Sequence, residues 1–167
     1  MQRFAFLSVV AVFLLAGCIK DESFPNEPAI EFNQYIRYGN DSAEFVINFT
    51  DGDGDLGLSS KDTNSPFHQG GNYHFNLRLK YLYLDTATGQ WVPFVTNFPN
   101  NGDLLEWNFR FPRVLKKDNS KAVKGEIHSR MYAPYYVPGH TKYRFECFIY
   151  DRALNKSNVI TSPPFTP

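Results

Sequence analysis

The chain has 167 residues, 43% of them apolar and 20% charged, with 17 basic side chains against 17 acidic ones. That composition excludes the disordered class, which has too little apolar surface to bury, and leaves no electrostatic footprint for nucleic acid. Sixteen Phe and ten Tyr, types that fit a pleated and half-buried surface, tilt the expectation toward strands.

The chain opens with Arg3 and an apolar run from Phe4 to Leu15, closed by Ala16-Gly17 before Cys18. At 12 residues, or 14 with Ala16 and Gly17, the run is shorter than the roughly 20 needed to span a bilayer. A basic start, a short apolar stretch and small residues before a cut describe a secretory signal segment. Leu14-Leu15-Ala16-Gly17-Cys18 resembles the lipobox of bacterial lipoproteins. The resemblance implies cleavage after residue 17 and lipidation of Cys18. Lys20-Asp21-Glu22 is similar to the signal that sends lipoproteins of the Bacteroidota to the outer face of the outer membrane. A lipid-anchored protein on the outer membrane, facing outside, is therefore expected, with a periplasm-facing one as the alternative. Residues 18–28 read as the lipidated cysteine and an extended tether, rich in Ser, Pro, Asn and Glu. Loss of Arg3 with the signal takes the net charge to about −1, and Cys147 is left without a cysteine to pair with.

Residues 29–167 fit one domain by size. A first strand is expected over Ala29 to Tyr38. A second, Ser42 to Phe49, carries Ala43, Phe45, Ile47 and Phe49 on one face by its period of two.

Next comes Asp51-Gly52-Asp53-Gly54-Asp55-Leu56-Gly57, the constellation that carries chemistry. Carboxylates at alternate positions converge only if the backbone curls, and the intervening glycines permit that. Like charges held so close are unfavourable unless a cation neutralises them, and a flexible cage of hard oxygens suits Ca²⁺. An EF-hand is rejected, because its sixth position is Leu56 where glycine belongs and its twelfth is Asp62 where glutamate belongs. The loop resembles Asp-Gly-Asp-Gly-Asp loops in surface lipoproteins of the Bacteroidota whose role is unassigned.

Further strands are expected over His74 to Leu84, Trp91 to Thr96, Asp103 to Phe111, Lys121 to Tyr132, Thr141 to Tyr150 and Val159 to Phe165. The six residues Asp85 to Gln90 form a hairpin turn between two of them. Strands at this spacing, with no helical stripe, predict an all-β antiparallel sandwich of about seven to eight strands. The segment from Tyr143 to Asn158, with its Asp151-x-Ala153-x-Asn155-x-Ser157 turn, resembles the end of bacterial immunoglobulin-like domains. On that topology the acidic loop joins strands B and C, and residues 151–157 join F and G at the same pole. Asp151 and Asn155 would then complete a cation shell begun by Asp51, Asp53 and Asp55.

Catalytic signatures are missing from the sequence: the four histidines show no metal-ligand spacing, and there is no nucleophile elbow. Tyr132, Tyr135 and Tyr136, beside Pro134 and Pro138, offer flat rings for a surface glycan or protein partner. The expected role is a non-enzymatic binding, adhesion or accessory module with a structural calcium site. The rival readings are a metal-assisted hydrolase working at the acidic end and a purely structural envelope protein.

Overall fold

The computed structural model describes residues 23–39, 41–96, 102–114, 121–132, 137 and 139–167. These residues contain no helix and form ten strands. These are β1 (Ala29–Tyr38), β2 (Ser42–Asp51), β3 (Leu77–Asp85), β4 (Gln90–Pro93), β5 (Val95–Thr96), β6 (Asp103–Leu104), β7 (Glu106–Phe109), β8 (Val123–Tyr132), β9 (Tyr143–Ile149) and β10 (Ile160–Thr161). One sheet has the order β1-β2-β8. A second has the order β10-β9-β3-β4, with β7 also paired to β3, and β5 and β6 form a small ribbon. All the strand pairs are antiparallel.

Alternation decides which face of each sheet is buried. Ala43, Phe45, Ile47 and Phe49 of β2 turn inward, as do Leu77, Leu79 and Tyr81 of β3. Tyr143, Phe145, Cys147 and Ile149 of β9 are fully buried with them. The two sheets meet where the Phe45 and Phe145 rings pack edge to face at 5.7 Å. Trp107 closes on Phe145 at 5.9 Å, and Tyr81 stacks on Tyr143 at 5.5 Å. Each large side chain taken from water contributes about 1.5–3 kcal/mol, so this sandwich-like core supplies the main cohesion of the domain.

The structure corrects several expected boundaries. Trp91 to Thr96 is broken at Phe94, and Asp103 to Phe111 is broken at Leu105. The reason lies in β3, whose one edge serves two partners. Leu77–Lys80 pairs with β7, and Leu82–Asp85 pairs with β4. Between them the Tyr81 amide donates to Leu105 O at 3.0 Å, and Phe94 N donates to Tyr81 O at 3.4 Å. The last expected strand shrinks to Ile160–Thr161, because Pro163 and Pro164 have no amide to give a ladder. Phe165 then returns to exchange two backbone bonds with Tyr143, at 3.0 and 2.7 Å.

Register gives the domain two poles. Asp51 sits opposite Val123 and Ser42 opposite Tyr132, so the ends of β2 and β8 are separated by their whole length. At about 3.3 Å per residue the poles lie roughly 30 Å apart.

Candidate metal centre

β2 runs out at Asp51, the last residue of the strand, and the acidic loop begins there. Asp51 is fully buried. Its Oδ1 accepts the amides of Asp53 at 3.2 Å and Gly54 at 2.8 Å, which winds the chain into an Asx turn. Gly54 takes the positive φ of 65° that closes this turn. The curl brings one carboxylate oxygen each from Asp51, Asp53 and Asp55 within 4.8 Å of one another, a group that could hold a metal ion.

Asp51 Oδ2 is buried with no hydrogen-bond partner among the described residues. Burial, followed by the neighbouring Asp53 and Asp55 charges, pushes the Asp51 carboxyl up to about 6, against the pull of the Gly54 amide. Asp55 is raised by burial and then by Asp53, although the amides of Arg152 and Ala153 oppose the shift. Buried carboxylates with raised values are poorly compensated charges. A metal ion held among Asp51, Asp53 and Asp55 would supply the compensation.

Several distant segments hold this loop in place. Leu56 forms an isolated antiparallel bridge with Asp151, and Asp55 Oδ1 accepts the Arg152 amide at 3.3 Å. The turn after β9 therefore lies against the acidic loop, at the pole where β2 ends. Leu58 N donates to Phe111 O at 3.1 Å, and Val114 N donates to Leu56 O at 3.0 Å. Gly52 approaches the amino-terminal segment so closely that a Cβ there would overlap the carbonyl oxygens of Phe24 and Pro25.

Asp151 and Asn155 are brought to this pole but close on each other. Asp151, 2% exposed, accepts the Asn155 amide on Oδ1 at 2.7 Å and the Asn155 Nδ2 on Oδ2 at 2.8 Å. The pair caps the turn, which carries Leu154 at a φ of 71°. Asp151 lies near enough to Asp55 and Asp53 for their charges to raise its carboxyl, after the larger effect of burial. As placed, the carboxylate cluster is the set Asp51, Asp53 and Asp55, with Asp151 beside it.

Some residues that matter here were invisible in the sequence pattern. Arg152 Nη1 donates to Asp62 Oδ2 at 2.7 Å, and Ser59 donates to the same oxygen through its amide at 2.7 Å and its hydroxyl at 2.9 Å. Asp62 is thus engaged away from the cluster. Arg110 ties down the loop that follows, through the carbonyls of Asp62 at 2.8 Å, His74 at 2.9 Å and Ser59 at 3.0 Å. The Asn158 side chain both accepts from Ile30 N at 2.8 Å and donates to Ile30 O at 2.9 Å. Opposite charges 90 positions apart and a lone asparagine leave no local signature.

The other expected site residues divide in two. Cys18, Lys20, Asp21, Glu22, Tyr135 and Tyr136 lie outside the described residues. Tyr132 is 74% exposed at the pole opposite the acidic loop. Of the two tryptophans, Trp107 is partly buried and packs against the core, whereas the Trp91 ring is covered by the Arg144 guanidinium at 4.4 Å. No family model and no curated protein matches this chain.

Proposed function

We infer that the chain is a lipid-anchored surface protein whose domain is a non-enzymatic binding or accessory module, ordered at one pole by a calcium ion. The single observation that carries the calcium reading is Asp51: a fully buried carboxylate, one oxygen without a partner, inside a cluster of three. The donors are all carboxylate oxygens, and the loop lies on a curled backbone, the combination that suits Ca²⁺ at about 2.3–2.6 Å per ligand. Backbone carbonyls and water would fill the remaining positions.

The sheet orders support an immunoglobulin-like reading. With β1, β2, β3, β8, β9 and β10 taken as A, B, C, E, F and G, the facing sheets are A-B-E and G-F-C. The acidic loop is then a B–C connection and the Asp151 turn an F–G connection, as in that fold. What surrounds the cluster is backbone bonding to Arg152, Ala153 and Leu56, an arrangement that holds loops. Export and lipidation rest on the sequence around Cys18. The exposure of Tyr132 at the far pole supports a contact there with a glycan or protein partner.

Calorimetry tests the site directly. Calcium added to chelator-treated protein should bind with measurable heat and raise the melting midpoint, because a ligand of the folded state stabilises it. An unchanged melting curve together with no heat would refute the calcium reading. For the anchor, Cys18→Ala should leave the protein uncut after residue 17 and without lipid label. Equal lipid labelling of both forms would sink that part.

A further inference from the structure

The geometry points to a second role for the acidic loop, one that rests on reading it as a cation site: the bound cation clamps residues 23–28 onto the sandwich and so sets how close the domain stands to its amino-terminal attachment. Gly52 makes the contact between the loop and this segment. It lies between two carboxylates of the cluster, and its amide donates to Pro25 O at 2.8 Å. Its missing Cβ leaves room for the Phe24 and Pro25 carbonyls to lie against the loop backbone. The same segment is fastened on its other side, where Pro28 is buried and Asn158 holds both backbone groups of Ile30.

Bonding of the Gly52 amide depends on the loop staying curled, and the loop curls three carboxylates together at the buried Asp51, whose Oδ2 has no partner. Mutual repulsion opens such a loop, whereas a cation closes it. Presentation of Gly52 to the amino-terminal segment is therefore coupled to cation occupancy. Five residues, Ile19 to Ser23, stand between Cys18 and Phe24. Even fully extended they span only about 20 Å, so a clamped segment keeps the acidic pole near the anchor and leaves Tyr132 at the distant end.

The test uses the full chain carrying Cys18→Ala and Ser23→Cys, purified in detergent and labelled with a nitroxide at residue 23. Ser23 is exposed and Cys147 is buried, so the label goes to one position. Added CaCl₂ should slow the label several-fold, and Asp53→Asn should abolish both the slowing and the heat of calcium binding. Gly52→Ala, which keeps all three carboxylates, should retain the heat and leave the label fast. A label indifferent to calcium in protein that binds calcium with heat overturns the clamp and spares the cation site. Absence of any heat overturns both. Slowing of the label in Gly52→Ala equal to that in the parent also overturns the clamp, since the contact would then be irrelevant.

Discussion

Asp51 and Asp85 each end a long strand and open a turn that contains glycine, yet their carboxylates meet opposite fates. Asp85 accepts the Ala87 amide at 3.0 Å on one oxygen and the Thr88 hydroxyl at 2.7 Å on the other. Those bonds, the Thr88 hydroxyl first, hold its carboxyl below the usual range. Asp51 is buried, shares its surroundings with two further carboxylates and keeps one oxygen without a partner, so its carboxyl is pushed the other way. The hairpin turn is complete from its own chain. The acidic loop leaves one buried carboxylate oxygen, Asp51 Oδ2, without such a bond among the described residues. A short Asp-initiated turn therefore carries no ligand information by itself. Burial and neighbouring charge do.

The contrast between the two turns is open to measurement, and calcium should produce the largest effect. Free calcium at about 100 times its Kd stabilises the folded state by about 2.7 kcal/mol, which raises the melting midpoint by roughly 5–10 °C for a domain of this size. Removal with a chelator should reverse the shift.

Asn155→Ala should come next. It strips a hydrogen bond from the buried Asp151 carboxylate, a loss of about 1.5–3 kcal/mol. Denaturant unfolding with and without calcium would show the loss in both conditions if Asp151 serves the turn. A loss seen only with calcium would instead make the pair part of the ion's shell.

Asp51→Asn should remove the calcium effect altogether while making the metal-free domain more stable at pH 7, by on the order of 1–2 kcal/mol. The sign follows from Asp51's folded-state value of about 6, which stands above its ordinary 3.8. The buried charge is a penalty present above pH 6 that fades as pH falls through 6 toward 4. The stability difference between Asp51→Asn and the parent, both free of metal, should accordingly shrink between pH 7 and pH 4.5. A difference that stays flat, or grows, contradicts the assignment. Thermal melts over that range provide the check. Comparing the two proteins cancels the opposing contribution of His140, whose value burial lowers.

Smallest of all, Asp85→Ala should give a minor drop in midpoint that calcium leaves unchanged, since that carboxylate is exposed and already bonded within its own turn.

Much of the sheet structure was legible from alternation. β1 has the bounds expected, and β2 and β8 differ from expectation only at one end. A strand that packs one face must repeat its apolar residues every second position, and Ala43, Phe45, Ile47 and Phe49 do so. The breaks at Phe94 and Leu105 were not legible, because each follows from β3 changing partners along one edge, a pairing that no local pattern encodes. The acidic loop was visible as a constellation, since glycine spacing and repeated carboxylates are local features. Its hold on the rest of the pole was not: Arg152 reaches Asp62 across 90 positions, and Arg110 gathers carbonyls from a loop it does not border in sequence.

By itself the sequence determined that this protein is built of antiparallel strands and that three carboxylates recur beside glycines, because period and spacing are properties of neighbouring residues. Only the tertiary structure decided that Asp51 is buried with an oxygen to spare, that Asp151 caps its own turn, and that Gly52 lies against Phe24 and Pro25. Burial and contact depend on which distant segments share a pole, and here the register of the two sheets set that.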